Sequence, residues 1–251
     1  MACENPDADK IVWSSPRRLC DGVMACPPIA YSENEWLYPV SVWKHYQGRL
    51  FSLPQLEKSN VYRSTDGGKT LTYIGAADES ETLFDENAMA KRSDGSLIMI
   101  MRCITKISYS ESYDKGVTWT TPKLLMNHTS SRSFLCTLQD GEILLVTNDD
   151  EKKRSNMTAF LSFDGGLTFK HKLLIDERCE TSYPAGCVMS DGNVYVAYDY
   201  NRTTDKEVCL VKLTKDDVIN GKLSTPVRLV AKAGKNLGNN KAQVKSYTNE
   251  E

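Results

Sequence analysis

Ser162-Phe163-Asp164-Gly165-Gly166-Leu167-Thr168-Phe169 decides the architecture, because its pattern Ser-x-Asp-x-Gly-x-Thr, closed by a large apolar residue, occurs twice more in the chain. Ser64-Thr65-Asp66-Gly67-Gly68-Lys69-Thr70-Leu71 and Ser112-Tyr113-Asp114-Lys115-Gly116-Val117-Thr118-Trp119 precede it, so the boxes begin at 64, 112 and 162, at steps of 48 and 50. A repeat of about 40 to 50 residues marks a propeller or a solenoid. Each box is itself a turn. Its Asp and Ser or Thr oxygens can take local backbone N–H groups, its Gly admits left-handed geometry, and its last residue can pack into the layer beneath.

A second feature keeps step with the first. Asp94-Gly95, Asp140-Gly141 and Asp191-Gly192 recur at steps of 46 and 51, each followed by an apolar run: Leu97–Met101, Ile143–Thr147 and Val194–Tyr198. Asp-Gly between two such runs predicts a tight hairpin, since both residues tolerate the turn's backbone angles. One unit is thus two hairpins, or four short strands, which is one propeller blade. Blades are predicted at about 28–76, 83–126, 131–176 and 181–231, with 10–20 as the last strand of an earlier blade and 232–251 as a polar tail. The fourth unit lacks a box, and Lys215–Asn220 carries the main helix signal.

Composition narrows the function classes. The 251 residues are 40% hydrophobic, enough for a core, and 31 Lys and Arg against 33 Asp and Glu give a formal net charge of -2. With no global field the sequence points away from nucleic acid, so any recognition of charge is local. No run approaches the roughly 20 apolar residues of a membrane span, and Met1-Ala-Cys-Glu-Asn lacks the basic and apolar regions of an export signal. Localisation stays open, because a missing N-terminal region could carry such a signal. Eight cysteines read as reduced thiols, with Cys103, Cys136, Cys187 and Cys209 serving as small buried hydrophobes within strands. The three histidines lie far apart, so neither a metal nor another cofactor is expected. Trp13, Trp36 and Trp43 read as core residues and not as sugar-stacking platforms.

Boxes of this type joined to Asp-Gly hairpins resemble the sialidase (neuraminidase) superfamily, also described by Asp boxes or BNR repeats, over residues 10–231. The resemblance implies an all-β fold, a β-propeller of four-stranded antiparallel blades, with four present of an expected six and the N-terminal blades lacking. It also implies a site. Such enzymes clamp the carboxylate of sialic acid with three arginines, which offer forked hydrogen bonds, and use a tyrosine as nucleophile, activated by a glutamate.

By order and context Tyr183, in Glu180-Thr-Ser-Tyr183-Pro184, is similar to the nucleophile and Glu86 to its activator, with Asp85 a competitor. Arg102, at the end of an apolar strand, and Arg154 are similar to two of the clamping arginines, and Arg132 competes for the same role. Departures matter too. Proline follows Tyr183, the family's first arginine is not recognisable, and no aspartate lies between Asp21 and Asp66 to act as acid. Asp199 and Arg202 read as an ion pair on the rim. The expected function is a sialidase-like exo-glycoside hydrolase, retaining, on terminal sialic acid or a similar carboxylated sugar, inactive if this chain is a fragment. The alternative is a non-catalytic propeller that binds glycan or protein. The expected partner is a glycan carrying a carboxylate.

Overall fold

A computed structural model describes residues 1–5, 7–42 and 53–233. Sixteen strands form four sheets. The first blade holds β1 (Ile29–Ala30), β2 (Trp36–Ser41), β3 (Ser59–Ser64) and β4 (Thr72–Ala77), and the second β5 (Thr82–Lys91), β6 (Leu97–Cys103), β7 (Lys106–Ser112) and β8 (Lys123–Asn127). The third holds β9 (Phe134–Thr137), β10 (Ile143–Asn148), β11 (Met157–Ser162) and β12 (His171–Asp176), and the fourth β13 (Thr181–Val188), β14 (Val194–Tyr200), β15 (Glu207–Leu213) and β16 (Arg228–Lys232). Within every sheet the spatial order follows the chain and neighbours are antiparallel, which is the architecture of propeller blades.

The Asp-Gly hairpins form as their residues dictate. Lys91 pairs with Leu97, Thr137 with Ile143 and Val188 with Val194, and Gly95, Gly141 and Gly192 take φ of 84°, 95° and 82°. Strand β6 explains why an unbroken apolar run can be a strand: successive side chains leave on opposite faces, and both faces are covered. Ile98 and Ile100 pack with Leu135, Ile143 and Leu145 of the third blade, while Leu97, Met99 and Met101 pack with Leu37 and Val61 of the first. A further cluster joins Leu144, Val146 and Leu161 of the third blade to Val196, Tyr198 and Val211 of the fourth. The inner strands β5, β9 and β13, with Ile29 of β1, surround a common axial cavity of about 350 Å³.

The three Asp boxes sit at the corner between third and fourth strands. In each the serine hydroxyl accepts the N–H of the glycine four residues on, Gly68, Gly116 or Gly166, at 2.8 Å. Each aspartate accepts the threonine hydroxyl at 2.6 Å. The boxes also grip the preceding blade. Gly75 of β4 lies so close to the Gly116 and Val117 carbonyls that a Cβ would not fit, and Gly166 lies over Ile98 of β6. Arg92 Nε donates to the Gly165 carbonyl at 2.7 Å. In the fourth blade this corner is α1 (Lys215–Asn220), started by a Thr214/Asp217 capping box and ended by Gly221 at φ 64°. It packs on β11 and β12, and Lys215 bonds Asp140 and Glu142.

Two expectations are corrected. Residues 10–20 form no strand, since a strand exists through a ladder partner and this segment has none among the described residues. It is tied instead by Arg17, which donates to the Gly68 and Lys69 carbonyls, and Cys20 packs beside Tyr38, Val40 and Tyr62. Trp13, expected in the core, is therefore 60% exposed. All eight cysteines are free thiols, but Cys187 is exposed where a buried one was expected, because its side of β13 faces the axial cavity. Trp36 is half-buried; Trp43 and the tail from 234 onward lie outside the described residues.

Candidate functional site

The inner strands of the second and fourth blades are both interrupted where they reach one end of the axis. In β13, Ser182 pairs with Asp199 and Ala185 with Ala197, leaving Tyr183 and Pro184 opposite one residue of β14. Proline has no N–H to give the ladder, so a bulge is the natural result. It places Tyr183 at φ 56°, a left-handed conformation that costs a bulky residue about 1–3 kcal/mol. In β5 the register jumps between Thr82 and Asn87, and Glu86 is the last residue of that irregular stretch, opposite Arg102 of β6.

The two bulges meet on one guanidinium. Arg102 Nη1 bonds Glu86 Oε2 in an ion pair and also the Tyr183 hydroxyl at 3.3 Å. Its Nε donates to Ser130 Oγ at 3.0 Å and its Nη2 to the Ser130 carbonyl at 3.1 Å. Both partners of the pair are nearly buried, with side chains 6% and 11% exposed. Taking either one away would leave an uncompensated charge, a loss of roughly 3–5 kcal/mol. Glu86 and Tyr183 thus share a nitrogen without bonding to each other.

Arg154 reaches the same place from the β10–β11 connection. Its Nε and Nη2 donate to the Ser130 carbonyl at 3.3 and 3.0 Å, and its Cζ lies 5.4 Å from the Tyr183 ring centroid. The charge run that carries it is an ordered turn. Asp150 accepts from Lys152 N, Lys153 N and Ser155 Oγ at 2.8, 3.0 and 2.6 Å, and these bonds, Ser155 foremost, bring its carboxyl down to about 2. Arg154 is half-buried and, among the described residues, no carboxylate pairs with it. Arg132 lies just before β9 at the axial cavity, where its Nη2 bonds the Ala25 carbonyl while its buried Nε has no partner. It lines a second cavity, about 260 Å³, next to the axial one and bounded by Met24–Pro27, Arg132–Phe134 and Pro184–Gly186.

The Ser130 hub is braced from below. His128, 1% exposed, bonds Thr147 Oγ1 through Nε2 at 2.7 Å, and Thr147 bonds Ser133 at 2.8 Å. Burial, with the Arg102 charge second, pushes the His128 pKa down to about 4, so it is neutral.

Tyr183, Glu86, Arg102 and Arg154 are therefore brought together, and Arg132 stands beside them on the axis. The Asp199–Arg202 ion pair is present at 3.1 Å, but it is more than a rim contact, because Arg202 Cζ sits 4.0 Å from the Tyr183 ring centroid. Sequence reasoning missed Arg202 and Ser130. A signal for Arg202 was available: Arg102, Arg154 and Arg202 stand 52 and 48 positions apart, close to the box period. No group of three or more His, Cys, Asp or Glu among the described residues could hold a metal ion.

A family model described as a BNR repeat-like domain matches residues 7–196. No curated protein sequence matches the chain. Among solved structures, the NanB sialidase of Streptococcus pneumoniae is similar with TM-score 0.61 and 16% identity, covering 77% of this chain and 31% of its own. The intramolecular trans-sialidase of Ruminococcus gnavus is similar with TM-score 0.58 and 17% identity, covering 74% and 41%. The α-L-arabinofuranosidase Arb93A of Fusarium graminearum is similar with TM-score 0.60 and 12% identity, covering 87% and 67%. At these identities the likeness is one of fold. The chain spans about a third of the length of the first of these structures.

Proposed function

The chain belongs to the BNR repeat-like domain family, and we propose that it acts as a sialidase-like, retaining exo-glycoside hydrolase on terminal sialic acid or a similar carboxylated sugar. The observation that carries this reading is Arg154, a half-buried guanidinium with no acidic partner among the described residues, set against the Tyr183 ring. A half-buried cation left unpaired invites an anion. Arg132, with its buried and unpartnered Nε, is the second such group, and Arg102 holds the frame.

In the proposed reaction the Tyr183 oxygen attacks the anomeric carbon and the bond to the aglycone oxygen breaks. Glu86 takes the phenolic proton, after moving off Arg102. Water then attacks the same carbon as the bond to the tyrosyl oxygen breaks; Glu86 returns its proton to that oxygen, takes one from the attacking water and later releases it to solvent, and the configuration is retained. No side chain is assigned to protonate the leaving group. Aryl glycosides, whose leaving group departs as an anion, are therefore turned over, and alkyl glycosides are slower by about 10²–10⁴-fold.

Release of 4-methylumbelliferone from its α-sialoside tests the reading. Turnover by the wild type, lost in Tyr183→Phe, supports it, and equal rates in the two proteins reject it. The second reading, a propeller that binds a carboxylated glycan without cleaving it, is favoured by one observation: Glu86 is committed to Arg102 and not to the phenol. Binding without turnover, unchanged in Tyr183→Phe, would select it.

A further inference from the structure

The axial cavity is apolar along its walls and cationic at its ends. Ile29, Met89, Phe134, Leu135 and Val188 line it, and the adjoining cavity shares Pro27, Phe134 and Gly186 with it and adds Met24 and Arg132. Neither lining contains an Asp or Glu among the described residues. The thiols of Cys26 and Cys136 add no charge, since burial pushes both up to about 12. Lys91, the last residue of β5, stands at one end, where its carbonyl accepts the hydroxyl of Thr137, the last residue of β9, at 2.6 Å. Arg132, two residues before β9, stands at the other. We propose that the two cavities form one binding site for a carboxylate with an unbranched apolar tail, a fatty acid anion whose head meets Arg132 and whose tail lies along β9 toward Lys91.

Arg132 is the group that calls for the head. Its Nη2 bonds the Ala25 carbonyl, its Nε is buried without a partner, and its Nη1 bonds no described residue. A neutral carbonyl leaves the charge uncompensated, and a carboxylate would compensate it. The Lys91 ammonium, by contrast, is already placed, 4.7 Å from the Tyr31 ring centroid. The walls call for the tail. They keep apolar surface in water, with Met24 43% exposed, and concave apolar surface of this kind takes apolar ligands. The cavities, of about 350 and 260 Å³, together have the size of a small-molecule site. From Phe134 to Thr137 the strand advances about 10 Å, which suits a tail of medium length. Tyr183, Glu86, Arg102 and Arg154 line neither cavity, so the inference does not rest on the hydrolase reading. Arg132 is the one residue the two readings share.

The test reads alkylation by N-ethylmaleimide, mapped by peptide mass spectrometry, in the presence of octanoate, octan-1-ol or butyrate. Cys187, exposed and in the axial lining, is the reporter, and Cys179, exposed and outside both linings, is the control. Octanoate is expected to slow alkylation of Cys187 at least about tenfold and to leave Cys179 unchanged, with octan-1-ol and butyrate protecting less. In Arg132→Ala, protection by octanoate should need at least about tenfold more of it, and protection by octan-1-ol should be unchanged. In Cys187→Phe, which fills the cavity and keeps Arg132, calorimetry should show no octanoate binding. Equal alkylation of Cys187 with and without octanoate overturns the site. Equal protection by octanoate and octan-1-ol, or by octanoate in wild type and Arg132→Ala, overturns the anionic head. If Arg132→Ala does not fold, undiminished octanoate binding by Cys187→Phe overturns the proposal on its own. Protection of Cys187 that rises with protein concentration in the absence of octanoate would assign the cavity to a second copy of this chain and also overturn it.

Discussion

The Asp-box corners and the axial face are made from similar residues under opposite rules. At the corners the bonds that shape the turn are short in sequence: Ser, Asp, Gly and Thr bond within four positions of one another, the same way in three blades. On the axial face the contacts of Arg102 join residues 16 to 81 positions apart. There one tyrosine sits in a left-handed conformation and one arginine nitrogen is buried without a partner. The box serine and aspartate side chains are satisfied within their own turn, whereas Arg132 Nε at the axial end is buried with no partner. That division is what a binding scaffold requires, a regular frame and an irregular face.

The widest separation between the two regions comes from Tyr183→Asn. Asparagine accepts a left-handed φ more readily than tyrosine, so stability is expected to hold or to rise by up to about 1 kcal/mol. Turnover of the aryl sialoside should fall by at least about 10³-fold. Urea unfolding together with the fluorogenic assay reads both. A large loss of stability would show that the ring supports the fold and that the face is not specialised.

Acid should undo the axial side first. His128 is ordinarily half-protonated near 6.5 but in the fold resists until about 4. The unfolded chain thus binds more protons between those values, and stability is full above 6.5 and falls as pH drops toward 4, by about 3 kcal/mol. The box aspartates work in a lower window. Burial pushes Asp164 up, but its bonds from Thr168 and Ser162 outweigh that and bring it to about 2. Its contribution is fully present above the ordinary aspartate value of 3.8 and is lost as pH falls from there through about 2. Denaturation curves at pH 7 and pH 4 should differ strongly in wild type and little in His128→Gln. Equal differences would move the acid sensitivity elsewhere.

The smallest effect is expected at the rim. Asp164→Ala removes the acceptor of the Leu167 and Thr168 N–H groups and of the Thr168 hydroxyl, a loss of roughly 2 kcal/mol. Ligand binding at the axis should be unchanged. A binding defect in a well-folded Asp164→Ala protein would break the separation.

How much was legible follows the same line. The boxes, the Asp-Gly hairpins and the α1 turn could be read because their bonds are local. Glu86, Arg102, Arg154 and Tyr183 could be proposed from order and context. The meeting of Arg102 and Arg154 at Ser130 could not, because no spacing rule links residue 130 to residues 102 and 154. Arg202 was set aside as one half of an ion pair with Asp199, a true contact that hid the stack on Tyr183. Lys10–Trp13 misled in the other direction: it has the apolar look of a strand but no ladder partner among the described residues, and pairing is what makes a strand.

One consequence of the corner contacts concerns how the blades hold together. The second and third boxes reach back onto the preceding blade, through Gly116 and Val117 against Gly75 and through Gly165 and Gly166 against Arg92 and Ile98. In the fourth blade α1 and Lys215 do the same to the third. Each corner is then a clasp between successive repeats, and the blades behave as a linear array with nearest-neighbour coupling. The second and third blades, gripped from both sides, would keep their hydrogen-exchange protection longest, and they carry Glu86, Arg102, Ser130 and Arg154.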